Sequence, residues 1–458
     1  MPSRARVQGW RPMSTIRAVP QPTSRATRSD AVGFWGLAGL LGLLMFASSA
    51  PSPLYGVYAS RWHFSSATVT AVFAVYAVAL LAALLVAGRL SDHVGRRPVI
   101  LAALVIEGGA MACFITADST TFLYLGRVLQ GLATGGAVGA LSAALVELSA
   151  RAKRSVAMAA VVNSAAPTLG VAAGALGTSA LVQYGPAPTR LVYWLVLVGL
   201  AVGVVVVVSL RETGARHPGG LASLVPQVGV PRSARVSFTR ALPSLVALWA
   251  LGGFYLSLGP ALAANLAGSA NLLWGGAVIF LLSGTGAAAA VLGRRSAERP
   301  AMLYGCLDLL AGVAITLGAV AAQSVWALLV GSLIAGIGFG LAFLGAFRSL
   351  SALARPDERA GMIAAIYIAS YLAFSVPVVA AGVAVANVGL RDVALGYAAV
   401  VAVLAALGAG TSLPRPVEAP ARANPTRSAL DLPPCPGTVP LCISHHTTPL
   451  AAPTSATP

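Results

Sequence analysis

The sequence predicts an all-α integral membrane protein built as two six-helix transmembrane bundles. Three observations carry that expectation. The 458 residues are 57% hydrophobic and only 9% charged, whereas soluble domains carry about 25% charged residues. Twelve apolar segments recur along the chain, each long enough for a hydrocarbon core of about 30 Å. Basic residues crowd alternate connections between those segments, as they do in chains that weave through a bilayer. Helix is expected throughout, because a backbone exposed to lipid must bond within its own segment.

Residues 1–31 hold six arginines and no apolar core. They read as a disordered basic tail, or alternatively as a transit peptide, rather than as a signal peptide. The N-terminal bundle is expected over 32–210, with spans at 32–55, 67–88, 99–117, 121–147, 156–181 and 190–210. The first span contains Pro51-Ser52-Pro53, and a bend is expected there because proline removes helix hydrogen bonds. Residues 211–242 are polar and basic with three prolines, and form a cytoplasmic linker. The C-terminal bundle follows over 243–412, with spans at 243–266, 272–292, 301–321, 324–347, 360–386 and 393–412. Residues 413–458, rich in Pro, Ala and Thr, read as a disordered tail.

The net charge of +17 suggests nucleic acid at first sight, but the basic residues lie in short loops between apolar runs. Leaving the tails aside, 17 fall in 88–98, 148–155, 211–240, 293–300 and 348–359, against Arg61, Arg190 and Arg391 on the other side. Positive charge marks the cytoplasmic face, so both termini are expected inside a cell (inner or plasma) membrane. Reporter fusions at 150, 225, 297 and 356 should therefore read as cytoplasmic, and fusions at 61, 187 and 391 as external. An external signal at 225 would break the two-bundle layout. The halves also echo each other: Arg97-Pro98 opens the third span and Arg299-Pro300 the ninth, and Gly131-x3-Gly135 in the fourth recurs as Gly336-x3-Gly340 in the tenth. Such symmetry is expected of duplicated bundles.

The loop between the second and third spans reads Gly88-Arg89-Leu90-Ser91-Asp92-His93-Val94-Gly95-Arg96-Arg97. A carboxylate among arginines and two glycines predicts a tight, ion-paired turn at the membrane surface. Its pattern, Gly-x-Leu-x-Asp-basic-x-Gly-Arg-basic, resembles the signature loop of the major facilitator superfamily, with His93 in place of the usual Arg or Lys. The resemblance covers roughly residues 32–412. It implies a transporter whose two bundles rock about a central site. It also implies a conformational latch in which Asp92 and Arg96 work with Glu147 at the end of the fourth span, on a turn shaped by Gly88, Gly95 and Arg97. For Glu147 the alternative is a surface ion pair with Arg151, which contributes under about 1 kcal/mol.

Charges inside lipid cost roughly 2.5–3.5 kcal/mol each near mid-span and mark functional candidates. Glu107, in the third span, must face protein or water, and loss of water favours its protonated form. That suits proton coupling, or else a neutral carboxyl bonded to a neighbouring helix. Asp308, its near-symmetric counterpart in the ninth span, is a second proton candidate or a structural carboxyl. Arg127-Val128-Leu129-Gln130-Gly131 resembles the Arg-x-x-Gln-Gly motif of the superfamily's fourth helix, whose arginine is linked to proton movement. Arg127 and Gln130 at i and i+3 share a face and can act on one cavity. Arg127 lies too far along its helix to reach Glu107 directly, so coupling between them is expected to run through water and Gln130. The alternative is an arginine snorkelling to the outer surface. In the fifth span, Pro167, Gly170 and Gly174 partly resemble the superfamily's Gly-Pro-x-x-Gly-Gly antiporter motif, with Ala166 and Val171 replacing two glycines. The same small residues equally suit close helix packing.

In that fold the pocket is lined by helices one, four, seven and ten. The first span offers Met45, Ser48 and Ser49, and the seventh offers Trp249, Tyr255 and Asn265. Few fixed charges appear among them, which favours a neutral or lipophilic substrate over an anion. Cys113 and Cys306 suit apolar packing. Cys435, Cys442, His445 and His446 crowd the C-terminal tail in no zinc-module spacing, so no metal is expected. Neither a P-loop nor a zinc or serine-hydrolase motif occurs, so no cofactor and no enzymatic activity are expected. The expected function is proton-coupled export of a small molecule by a transporter that works as a monomer in the lipid bilayer. Uptake by symport is the alternative, and a non-transporting receptor or scaffold a second one.

Overall fold

A computed structural model describes residues 28–88, 90–152, 156–214, 224–355 and 358–413. The expectations for residues 1–27 and 414–458, including the four Cys and His residues near the C-terminus, lie outside the described residues, whereas residues 28–31, expected as the end of a disordered tail, already belong to the first helix. Among the described residues the fold is entirely helical, without strands. Its elements are α1 (Arg28–Ser49), α2 (Pro51–Trp62), α3 (Ser66–Ala87), α4 (Leu90–Val94), α5 (Arg96–Ile115), α6 (Thr120–Arg151), α7 (Val156–Tyr184) and α8 (Leu191–Ser209). There follow α9 (Arg235–Ser257), α10 (Gly259–Ala267), α11 (Leu273–Leu292), α12 (Glu298–Ala321), α13 (Val325–Ala352) and α14 (Arg359–Ser412).

Eleven of the described helices are long and apolar enough to cross a membrane. The last, α14, has 54 residues and contains Gly389 at φ 84°, ψ 161°, a non-helical point where two helices meet. It therefore holds the eleventh and twelfth predicted spans. Local sequence sets several ends: Ser65 accepts from the Thr68 N–H at 3.4 Å and Ser324 from the Ala327 N–H at 3.3 Å, which satisfies otherwise orphaned helix N-termini. Two predicted spans differ from the helices that carry them. The first extends to Trp62 beyond a break at Ala50, and the seventh begins at Arg235 and breaks again before α10. Hydropathy marks where a helix lies in lipid, and these helices continue past that layer into polar sequence.

The internal echo is visible in the packing. In the first half α3 packs on α6, α5 on α6 and α1 on α7; in the second, α11 packs on α13, α12 on α13 and α9 on α14. Gly131 and Gly135 lie against the α3 backbone at Tyr76 and Leu80, and Gly336 and Gly340 lie against α11 at Leu282 and Gly286. A β-carbon at any of the four would collide with a facing carbonyl, so these glycines set how closely the helices approach.

The halves meet along α3 with α14 and α7 with α11. Those contacts include Thr70 with Gly382, Phe73 with Phe374 at 4.9 Å between ring centres, Ser179 with Gly276, and the Leu272 N–H donating to Gln183 Oε1 at 3.1 Å. On α3, α7 and α11 they fall nearer the helix ends opposite the signature loop.

Candidate functional site

Inside the first half lies a polar network assembled by five helices and started by Pro51. Pro51 has no N–H to offer the carbonyl one turn earlier, so the Ala47 oxygen is left without its helical donor. The Gln130 side-chain amide fills that place, donating to Ala47 O at 2.9 Å. The same NH2 group donates to Glu107 Oε1 at 3.2 Å, while Gln130 Oε1 accepts from Arg127 Nη1 at 2.7 Å. Gln130 is thus the bridge between the two charged residues. Arg127 also donates to Ser48 O at 2.7 Å and to the Tyr55 hydroxyl at 2.6 Å. Its guanidinium lies 5.4 and 5.1 Å from the ring centres of Tyr55 and Tyr76, within the range of cation–π attraction.

Glu107, Arg127 and Gln130 are each 0% exposed. That rules out the snorkelling alternative for Arg127. Glu107 Oε2 and Arg127 Nη2 are buried with no hydrogen-bond partner among the described residues. Each of the two groups therefore has one atom held in the network and one buried polar atom left open. Asp308 is not part of this network. It sits half-buried on α12, which packs on α13 and α14.

The signature loop forms a second cluster. Where the sequence predicts a tight turn, its centre is the short helix α4, and Arg89 lies outside the described residues. Arg96 pairs with Asp92 and with Glu147 at 3.3 Å, and donates to Ser91 Oγ at 2.7 Å. Glu147 thus meets Arg96, while Arg151 donates to the Glu212 and Thr213 carbonyls at 3.0–3.5 Å. Gly88 ends α3, and Arg97 contributes its backbone N–H to the next contact.

Sequence reasoning missed the residue that completes this cluster. Glu212 accepts from the Arg96 N–H at 2.9 Å and the Arg97 N–H at 3.2 Å, capping α5 from a distant point of the chain. It also accepts from Thr213 and Gly214 N–H at 3.0 and 3.2 Å. A carboxylate at a helix N-terminus gains from both the free donors and the dipole. Gly95 makes the approach possible: its φ of 109° suits glycine, and a β-carbon there would lie 2.6 Å from Glu212 Oε2. The available signal was a lone carboxylate in a basic stretch immediately after the sixth span. Glu212→Ala should lower stability by about 1 kcal/mol, the usual loss of a helix cap. Thermal unfolding of the purified protein checks this, and an unchanged Tm would show that water replaces the carboxylate.

On α7, Gly170 fits against Gly42 and Met45, and Gly174 against Phe46 and Ser49 of α1. Pro167 is accommodated within the helix. The close packing expected of this motif is therefore realised. Among the pocket candidates, Ser48 Oγ donates to Met45 O at 2.8 Å, and Ser49 Oγ reaches Val171 O at 2.9 Å, tying α1 to α7. Tyr255 is buried with Ser332 and Thr316 at 3.1 and 3.4 Å, and Asn265 is exposed on α10.

Trp249 stands apart from these. Its ring centre lies 6.0 Å from Phe339, 5.7 Å from Phe343, 5.4 Å from Tyr371 and 5.7 Å from Phe374. A separate groove of about 630 Å³, lined by apolar residues including Phe238, Leu242, Leu372 and Val376, opens between the linker, α9 and α14. Leu372 and Val376 are exposed, so this groove lies open on the outer face of the helices.

A family model described as Major Facilitator Superfamily matches residues 37–307. Multidrug resistance protein MdtL of Klebsiella pneumoniae is 29% identical over 170 residues, 37% of this chain and 40% of that protein. Its Escherichia coli namesake is 30% identical over 157 residues, 34% of this chain and 39% of that protein. The chain thus spans about two fifths of the length of the curated relatives it matches. Among solved structures, the nucleoside transporter NupG superposes with a TM-score of 0.65 at 14% identity, covering 83% of this chain and 99% of that one. A bacterial homologue of the human lysosomal transporter Spinster, inward-facing and unoccupied, gives 0.66 at 14% identity, with 85% and 98% covered. The human organic anion transporter MFSD10 gives 0.59 at 19%, with 85% and 100% covered. At such identities the structural likeness speaks for the fold alone.

Proposed function

The chain belongs to the Major Facilitator Superfamily of multi-pass membrane transporters, and from that premise we propose that it exports a small neutral or lipophilic molecule across the cell membrane in exchange for protons. Alternating access by two rocking bundles, 32–210 and 243–412, carries the exchange, and a single chain suffices for it. The observation that bears most weight is the sealed link Glu107–Gln130–Arg127, at 3.2 and 2.7 Å. A carboxyl without water holds a proton readily. An approaching cation reverses that preference, and here the nearest fixed cation is one amide away. Movement of α6 against α5 in the transport cycle would lengthen or shorten that link. The partial likeness to multidrug resistance proteins favours export as the direction.

Flux in proteoliposomes tests the reading. An imposed pH gradient should drive labelled substrate against its own gradient, towards the acidic side. Movement towards the alkaline side would instead establish symport, and flux indifferent to the gradient would remove the proton from the mechanism. The signature-loop cluster acts in this scheme as the latch that holds one conformation.

A further inference from the structure

We propose that the second half carries the substrate-recognition wall, and that it selects a planar, uncharged aromatic molecule bearing a hydrogen-bond acceptor. The proposal rests on the transporter reading above and names the substrate class of its central site. The wall is the aromatic group around Trp249. From that ring it continues through Phe343 to Phe347 at 5.6 Å and through Tyr371 to Tyr367 at 6.2 Å. The rings come from three helices, α9, α13 and α14, so the grouping is a product of tertiary structure. Trp249, Phe343, Tyr367 and Tyr371 are only half-buried, although Val330 and Leu333 of α13 and Leu372 and Val376 of α14 occupy the exposed faces of the same helices. Aromatic faces left partly uncovered inside a protein offer stacking and edge-to-face contact to another ring.

Two further observations narrow the class. The buried indole Nε1 of Trp249 donates to nothing among the described residues. A buried donor without an acceptor is costly, and a ligand acceptor in the plane of the indole removes that cost. The charged residues of α9, α13 and α14 before its Gly389 kink are Arg235, Arg240, Arg348 and Arg359, all close to the helix ends on the signature-loop side. The wall itself carries no fixed charge to pair with an ionic ligand.

The wall also touches the proton network. Phe374 packs on Phe73 of α3, and Tyr76, one turn further along α3, lies over the Arg127 guanidinium. A molecule stacked on Trp249 is thus separated from the Arg127–Gln130–Glu107 link by few side chains. Substrate binding and proton loading can therefore act on the same helices.

Equilibrium dialysis of acridine against the full-length protein in lipid nanodiscs at pH 8 provides the test. Acridine is then neutral, planar and has a ring-nitrogen acceptor, and the saturable component of binding separates protein from lipid. Trp249→Leu and Tyr371→Leu should each weaken that component by roughly tenfold. Trp249→Phe, which keeps a ring and loses the N–H, should weaken it by about fivefold. Trp326→Leu, on an exposed face of α13, should leave it unchanged, which controls for general loss of fold. N-methylacridinium, with its acceptor blocked and a charge added, should bind more weakly than acridine. Equal binding by wild type and both leucine variants, absence of a saturable component, or preference for N-methylacridinium would each overturn the proposal. Gradient-driven flux of another compound without acridine binding would sink the aromatic wall alone. Acridine binding without any flux would leave the wall standing and remove the transport reading.

Discussion

Proteoliposomes carrying Glu107→Gln should lose all accumulation driven by a pH gradient and keep substrate exchange at equal pH. Glutamine reproduces the size and neutrality of the protonated carboxyl, so α5 and α6 can pack as before. The geometry also says which oxygen matters. Gln130 donates to Oε1, while Oε2 has no partner among the described residues. A proton placed on Oε2 disturbs no existing bond, whereas a proton on Oε1 would confront the Gln130 donor. In the variant that site is permanently filled by an amide, and a carrier that cannot unload cannot be driven by a gradient. Exchange needs no net proton movement and should survive. If Glu107→Gln still concentrates substrate, the proton travels elsewhere, with Asp308 the next residue to test.

Asp92→Asn should reduce transport by roughly tenfold while expression, insertion and thermal stability change little. The Asp92 side chain is half-exposed, and an exposed ion pair adds little to stability. Its expected contribution is to one conformation over another. Arg96 is shared among Asp92, Ser91 and Glu147, so removing one charge loosens the hub without dismantling it. A tenfold change in the ratio of two states corresponds to about 1.4 kcal/mol. Wild-type flux in Asp92→Asn would reduce the loop to a surface turn.

Much of this architecture could be read from sequence, because bilayers impose simple rules. Apolar length gives the spans, arginine placement gives the expected sides, and the repeated Gly-x3-Gly pairs turn up in equivalent helix contacts of the two halves. Glu107, Arg127 and Gln130 stood out since a polar group in an apolar run needs a reason to be there. The limits are equally physical. Glu212 meets the loop across more than a hundred residues, and no local spacing encodes such a contact. The rings about Trp249 look like ordinary apolar residues in three separate spans. Tyr255 shares α9 with Trp249 but not its ring cluster, and Asn265 falls on α10, since membership of a predicted span does not fix the direction of a side chain.

The vacancy that Pro51 creates at the Ala47 carbonyl has a consequence for the sense of the Gln130 amide. A primary amide can be turned end for end with almost no change in shape, exchanging its donor and acceptor edges. Here that ambiguity is removed. A carbonyl oxygen demands the NH2 edge on one side, and a guanidinium demands the oxygen edge on the other. The amide dipole is therefore pinned with its positive end towards Glu107. A proline on one helix thereby fixes the polarity of the link between carboxyl and guanidinium on two others.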